Sequence, residues 1–600
     1  MQAIILAAGM GKRLKELTHD NTKCMVQVCG ETLIERMLRQ QDRLNLERIV
    51  IVVGYQGRRL IDFVSSLDIK TPIEFIENPI YDKTNNIYSL SLAKERLLED
   101  DTLLFESDII FEDSVLDALV QDPRPTLALV DKYEPWMDGT CVRLSGDDEI
   151  IEFIPGKKFN HLDSGDCYKT VNIYKFSRDF SRNAYVPFLE AYQKALGENE
   201  YYEQVLMVIA MLNNSELRAK RLDGEKWYEI DDIQDLDIAT SIFASDDEKL
   251  PLMMKRYGGY WRYPKLLDFC YLVNPYFPPQ KLKNEMIASF DVLLTQYPSG
   301  MHINSLLAAK DFSVHEENIV VGNGAAELIK ALMERLEGKI GFVRPTFEEY
   351  PNRADKDREV VYTPSNENFS YSVDDLISFF SDKDISTLVV VNPDNPTGSY
   401  IKKKDLLRLV SWSKEKGITL VVDESFVDFA EDEDSSLIDQ SILSSNRHLF
   451  VMKSISKSYG VPGLRLGVLA SGDVEAIKAI KKSVSIWNIN SFAEFYLQIE
   501  EKYHKDYLAS LTRIKEERKR FFSKLSSIEG LRTIPSEANY IMVEITNGKK
   551  ATEVTKRLLS DYGILIKDLS AKIKGGEYLR LAVRDTKDND RLIDALSNVL

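Results

Sequence analysis

Two stretches of this chain concentrate residue types suited to phosphate. In LAAGMGKRL a short apolar run breaks into Ala8-Gly9-Met10-Gly11 and is followed at once by Lys12 and Arg13. Glycines let backbone N–H groups close on phosphate oxygens, and two adjacent cations offset the charge of a triphosphate. A tight strand-to-helix turn with solvated cations would read the same way, so the turn alone does not decide. In SISKSYGVPGLRLG, Ser454, Ser456 and Arg465 supply hydroxyls and a guanidinium on either side of Lys457. A lone lysine is nearly always solvated, so Lys457 by itself does not decide. The five cysteines, Cys24, Cys29, Cys141, Cys167 and Cys270, form no CxxC pair and are expected as reduced thiols of a cytoplasmic protein.

The elements that hold these residues follow from hydrophobic patterning. AIILAAG, ETLIERMLRQQDRL and RIVIVVGY alternate short β-branched runs with an amphipathic segment, which predicts βαβ units and a mostly parallel sheet. A second series runs from NIVVGNG through AAELIKALMERL, KIGFVRP, DISTLVVVNP and GITLVVDES to HLFVMKS. Two α/β domains are therefore expected, which fits 600 residues, too many for one hydrophobic core. The polar stretch ASDDEKLP places their boundary near residue 250, giving domains 1–248 and 249–600. With 44% hydrophobic and 29% charged residues the chain can bury both cores. Its 95 acidic against 77 basic residues, a net charge of −18, disfavour nucleic-acid or anionic-membrane binding through the overall field. The amino-terminal segment lacks the pattern of a secretion signal, and no apolar run approaches the roughly 20 residues of a membrane span.

LAAGMGKRL followed by NTKCMVQVCGETLIER resembles the nucleoside-triphosphate transferase family over about the first 240 residues. The resemblance implies a Rossmann-like fold in which Lys23 joins Arg13 at the phosphates, with Ala8, Gly9, Gly11 and Lys12 around the nucleotide. Asp108 in FESDIIF and Asp231 in WYEIDDIQDL match aspartates that hold Mg²⁺ in the family; hard carboxylate oxygens suit that ion, which stabilises charge during attack on the α-phosphate. Asp232 and Asp235 are expected as cap or solvent-facing residues. NNIYSLSLA and YEIDDIQD resemble most the cytidylyltransferases that activate phosphocholine and related phosphoamines. By that resemblance Asn85 or Asn86 reads the base of CTP, although either asparagine equally suits a helix cap. The acceptor pocket is then formed by Asp131, Tyr133, Trp136 and Asp138, by Tyr174, and by Tyr202 and Glu203. Aromatic faces suit an alkylammonium, and carboxylates suit a primary one.

From about Tyr257 the chain resembles fold-type I pyridoxal-phosphate (PLP) enzymes, specifically histidinol-phosphate aminotransferases and threonine-phosphate decarboxylases. The resemblance implies that Lys457 is the lysine joined to the cofactor and that Ser454, Ser456 and Arg465 bind its phosphate, with the backbone of Ala325 and Ala326 capping it. Asp423 in TLVVDES pairs with the pyridinium nitrogen, Asn395 in NPDNPTG bonds the phenolate oxygen, and Phe347 in RPTFEEY stacks on the ring. Tyr297 in TQYPSG reaches the neighbouring subunit's cofactor, so a homodimer is implied. Arg580 in YLRLAV takes the substrate carboxylate. One departure is Phe426, where most relatives place a tyrosine that donates to the phenolate oxygen; DFCYLVNPYFPP resembles the decarboxylase branch.

A cytidylyltransferase joined to a PLP enzyme whose relatives handle phosphorus-bearing amines resembles the fusions of phosphonate cytidylyltransferase with 2-aminoethylphosphonate transaminase. That implies transamination of phosphonoacetaldehyde by an amino donor, then coupling of 2-aminoethylphosphonate with CTP. The alternative is a phosphoserine-type decarboxylase feeding a phosphoethanolamine or phosphocholine cytidylyltransferase. A PLP-like domain kept for sensing in a transcription regulator would call for a basic helix-turn-helix, which the acidic chain lacks.

Overall fold

The computed structural model describes residues 1–212, 215–263 and 265–600. It divides into two compact units, Met1–Pro264 and Lys265–Leu600. The division thus falls after the position near 250 that the polar stretch suggests. There the chain forms a helix, Asp246–Lys255, whose buried Leu250 and Met253 pack it into the first unit.

The first unit is built on a nine-stranded sheet. Strand Gln2–Ala7 lies at its centre, parallel to Ile49–Val53 on one side and to Thr102–Glu106 on the other. Alternate residues of the central strands enter opposite cores: Ile5, Ile51 and Phe105 on one face, Ile4, Val50 and Leu104 on the other. Burial on both faces explains the unbroken apolar runs. Because successive strands are laid down on opposite sides of Gln2–Ala7, a crevice opens at the carboxyl ends of these strands, where α/β sheets take their ligands. The glycine turn leaves one lip of it, and Asp108 follows the strand that forms the other.

Glu229 and Asp231 reach the same place by pairing. Strand Trp227–Glu229 runs antiparallel to Ile109–Phe111 with Glu229 opposite Ile109, and the N–H of Ile230 donates to the carbonyl of Asp108 at 2.9 Å. Helix Ile233–Phe243 then starts from a capping box between Asp232 and Asp235, and Asp235 also accepts from the backbone N–H of Asp231 at 3.1 Å. These two carboxylates fix the backbone on which Asp231 stands.

The second unit carries a seven-stranded sheet whose strands are parallel except Leu466–Ser471, which runs antiparallel between Ile319–Asn323 and Leu449–Ser454. Asp423 ends the inner strand Thr419–Asp423. Beyond it, a four-stranded antiparallel sheet holds Arg580 on Tyr578–Ala582, opposite Met542. Asn392 exchanges hydrogen bonds of 2.7 and 2.9 Å with the backbone of Ile401, pinning the loop that carries Asn395. Among the described residues no helix is long and apolar enough to cross a membrane, and the five cysteines are unpaired.

Candidate active sites

In the first unit, Gly11 adopts φ +58, and a Cβ on it would come 3.0 Å from Cβ of Lys23, so glycine lets the turn lie against the segment that carries that lysine. Lys23 Nζ lies 2.5 Å from Oδ2 of Asp108 and 2.7 Å from Oδ1 of Asp231; Arg13 Nη2 reaches the same Asp231 oxygen at 2.7 Å. Burial draws the Lys23 ammonium down, but the two carboxylates outweigh it and hold its pKa above the usual lysine range. Asp231 is pushed up by burial, yet Lys23 and Arg13 bring it below the ordinary aspartate value.

A third carboxylate completes this group. Ligand oxygens of Asp108, Glu229 and Asp231 lie within 4.8 Å of one another. Burial, reinforced by Asp108 and Asp231, raises Glu229 to about 7 against the opposing pull of Lys169. Oδ1 of Asp108 is buried with no hydrogen-bond partner among the described residues. An orphaned carboxylate oxygen within a set of hard donors fits a divalent cation such as Mg²⁺. Sequence motifs do not single out Glu229, although it stands two residues before Asp231, a spacing that turns side chains of an extended segment to one side.

The expected nucleotide and acceptor residues divide. Asn85 caps helix Asn86–Leu92, accepting from the N–H of Asn86 at 2.9 Å. Asn86 is engaged at both ends: it donates to Glu106 at 2.9 Å and accepts from the N–H of Tyr202 at 2.9 Å. Trp136 stacks on Tyr228 at 4.3 Å and, with Asp138, Lys169 and Trp227, lines a small cavity that reaches Glu229 and Asp231. Asp131 accepts from the indole N–H of Trp227 at 2.8 Å. Tyr133 instead packs on Phe159 at 4.6 Å and bonds His161 at 3.1 Å, outside that lining. Tyr174 and Tyr202 are also not open pocket walls: both are fully buried, edge to face at 5.8 Å, because their rings fill the core beside Val205 and Leu206. Glu203 is buried beneath the site, its pKa raised by that burial, and Oε2 has no partner among the described residues.

In the second unit, Asp423 accepts from the hydroxyl of Tyr350 and from the N–H of Ser425, both at 2.8 Å. Burial raises its pKa, and these donors together with Lys457 oppose the rise. Lys457 is brought down to about 8 by burial and by the guanidiniums of Arg580 and Arg465, against Asp423. Arg580 donates to Asn395 Oδ1 at 2.6 Å and to the carbonyl of Cys270 at 2.8 Å. Phe347 is 39% exposed and lies edge-on to Tyr350, the tyrosine that bonds Asp423, at 6.5 Å.

These residues fit a phosphorylated aldehyde cofactor. Helix Ala325–Met333 begins without a side-chain cap, a Cβ on Gly324 would fall 2.5 Å from Nη2 of Arg465, and the Ser456 hydroxyl is buried without a partner among the described residues. Free helix N–H groups with a guanidinium beside them fit a phosphate, and the orphaned hydroxyl is a further donor suited to one. Phe426 is buried edge-on to Tyr540 at 5.1 Å, and the Tyr540 hydroxyl is committed to the carbonyl of Asp394 at 2.6 Å. Tyr297 is 80% exposed and stacks on Trp487 at 4.5 Å.

Fold and sites together define an enzyme with a nucleotidyltransferase unit followed by a fold-type I PLP-dependent unit. The chain belongs to the aminotransferase class I and II family, which matches residues 278–596, and carries a MobA-like NTP transferase domain, matched over residues 3–137. It is 30% identical to CMP-5'-(3-aminopropyl)phosphonate synthase of Streptomyces rubellomurinus over 100% of this chain and 95% of that protein. Over 56% of this chain and 88% of the relative it is 33% identical to L-serine phosphate decarboxylase of Sulfurospirillum multivorans. A solved decarboxylase structure from Sulfurospirillum multivorans matches 57% of this chain and 90% of its own at a TM-score of 0.52 and 32% identity. The histidinol-phosphate aminotransferase of Clostridium acetobutylicum matches 56% of this chain and 99% of its own at a TM-score of 0.50 and 27% identity.

Proposed function

We propose that the first unit transfers the cytidylyl group of CTP to the phosphonate of 2-aminoethylphosphonate, and that the second unit makes this amine from phosphonoacetaldehyde and an amino donor. The observation that carries the first half is the carboxylate trio of Asp108, Glu229 and Asp231, two of which, Glu229 and Asp231, open onto a cavity walled by Trp136, Asp138 and Lys169. The full-length likeness to a CMP-5'-(3-aminopropyl)phosphonate synthase supports the class of acceptor.

An oxygen of the acceptor's phosphonate bonds to the α-phosphorus of CTP, the bond from that phosphorus to the α,β-bridging oxygen breaks, and pyrophosphate leaves. The phosphonate is already an anion, so no general base is required. The burden is electrostatic: two anions must meet. Arg13 and Lys23, beside the glycine turn, meet the triphosphate, with Asn85 near the base. Bound by the trio, Mg²⁺ would supply Lewis-acid stabilisation of charge on the α-phosphate. Asp138 beside Trp136 accepts from the primary ammonium of the acceptor.

In the second unit Ser454, Ser456, Arg465 and the N–H groups of Ala325 and Ala326 would hold the cofactor phosphate. Asp423 would pair with the pyridinium nitrogen, Asn395 would donate to the phenolate oxygen, and Phe347 would stack on the ring. Bound there, PLP supplies an electron sink for the substrate carbon attached to nitrogen. Lys457, its pKa brought down to about 8, supplies a fraction of neutral amine near physiological pH and moves the proton at that carbon, and Arg580 orients the amino donor's carboxylate. The exposed Tyr297 reaches the neighbouring subunit of a homodimer. A second reading, decarboxylation of a phosphorus-bearing amino acid, is favoured by the likeness to L-serine phosphate decarboxylase and uses the same residues.

Two assays test this. Purified protein with CTP and Mg²⁺ should release pyrophosphate with 2-aminoethylphosphonate at least tenfold better than with phosphocholine, because a quaternary ammonium has no N–H to donate to Asp138. Equal turnover of phosphocholine sinks the acceptor reading. Carbon dioxide release from a phosphorus-bearing amino acid, without amino transfer to phosphonoacetaldehyde, replaces the transaminase reading with the second one.

A further inference from the structure

Lys169 belongs to no sequence motif of the site. It lies on strand Cys167–Phe176, paired with Cys141 of the neighbouring strand, and is 1% exposed. Its Nζ donates to the carbonyl of Thr170 at 2.6 Å and lies 3.3 Å from Oε2 of Glu229. Gly139 makes room for it: φ there is +96, and a Cβ would come 3.3 Å from Cε of the lysine. A charge this deeply enclosed is costly unless its donors are met. An ammonium has three donors, these contacts account for two, and the side chain lines the cavity beside Trp136 and Asp138.

The cations of the site are divided around the trio. Lys23 sits on Asp108 and Asp231, Arg13 on Asp231, and Lys169 on Glu229. Arg13 follows the glycine turn and Lys23 stands on the segment against which that turn lies, the side that meets the nucleotide in this reading. Lys169 comes from a different strand and is the cation on the cavity side. For transfer, the acceptor oxygen must come within about 3 to 3.5 Å of the α-phosphorus, against the repulsion of two anions.

We propose that Lys169 binds the phosphonate oxyanion of the acceptor and holds it beside the α-phosphate, with the acceptor's ammonium turned toward Asp138. This rests on the cytidylyltransferase reading above. It orders the cavity by charge, anion at Lys169 and cation at Asp138, so the phosphorus end of a short zwitterion is the end presented for attack.

The test compares parent, K169R, K169Q and K169M in pyrophosphate release with CTP, Mg²⁺ and 2-aminoethylphosphonate, and by calorimetric titration with methylphosphonate in the presence of CMP and Mg²⁺. Lys169→Met and Lys169→Gln should raise the KM for 2-aminoethylphosphonate by about 10- to 100-fold, the scale of a lost charge-assisted hydrogen bond. They should leave the KM for CTP within about twofold and abolish methylphosphonate binding, while K169R keeps part of that binding. If Lys169→Met does not fold, K169Q and K169R carry the comparison. Unchanged acceptor KM and methylphosphonate binding, with a raised requirement for Mg²⁺ or CTP, overturns the proposal and leaves Lys169 as the counter-charge of Glu229. A parent that binds methylphosphonate yet releases no pyrophosphate with any acceptor overturns the cytidylyltransferase reading instead; a parent that does neither overturns both.

Discussion

The guanidinium of Arg580 donates to the side-chain oxygen of Asn395 at 2.6 Å, joining two residues 185 positions apart in the chain. The partnership holds the planar fork of Arg580 in one orientation inside the second unit. Arg580→Lys should therefore raise the KM for a carboxylate-bearing amino donor by about 10- to 100-fold, since one point charge replaces a bidentate fork. The absorbance of bound PLP should be retained. A variant with parental KM would remove Arg580 from substrate binding.

Lys457 at about 8 gives a pH signature. Only its neutral amine attacks the cofactor aldehyde, so the rate of holoenzyme formation from apoenzyme and PLP should climb to about pH 8 and then level. An ordinary lysine would climb to about 10.4. Arg580→Met removes a neighbouring cation and should move the levelling point to higher pH. A rate still rising at pH 10 in the parent contradicts the assigned environment.

Asp108→Asn, Glu229→Gln and Asp231→Asn should each reduce cytidylyl transfer on the order of a hundredfold or more, the scale of electrostatic stabilisation worth roughly 3 to 4 kcal/mol. The PLP reaction should persist in all three. The orphaned oxygen of Asp108 and the placement of ligand oxygens of Asp108, Glu229 and Asp231 within 4.8 Å of one another fit a divalent cation, so the same variants should weaken Mn²⁺ binding measured by electron paramagnetic resonance. Near-parental Mn²⁺ affinity in any one of them would take that residue out of the site.

Asp311, raised to about 8 by burial and by Glu500, has both carboxylate oxygens buried without partners among the described residues. Glu500 is itself raised to about 7 by burial and Glu501. A raised carboxylate pKa means the folded state keeps a proton that the unfolded chain has lost. Stability should therefore fall as pH rises from the unfolded value near 3.9 through about 8. Asp311→Asn removes the charge and keeps the shape. It should raise the melting temperature of the second unit by a few degrees at pH 8.5, as expected for about 1 to 3 kcal/mol, and the gain should shrink toward pH 5. A gain independent of pH would mean that charge burial is not its cause.

Motifs that are local in the chain are legible in the amino-acid sequence by itself. The alternation of apolar runs and amphipathic segments marks two α/β units because burying both faces of a parallel sheet forces that pattern on each strand. The segments around Lys23, Lys457, Asp423 and Asn395 stand out as candidates in the sequence, since each gathers its residue types within a few consecutive positions. What folding alone decided lies where distant segments meet. Glu229 joins Asp108 because a short strand pairs with Ile109–Phe111. Tyr174 and Tyr202 went into the core, where an aromatic ring is as well placed as in a pocket. Tyr133 went to Phe159 and His161. Lys169 has no signal in the sequence at all. A lysine in a strand is ordinarily solvated, and nothing in YKTVNIYKF tells of the glutamate 60 residues on, Glu229, that makes its burial tolerable.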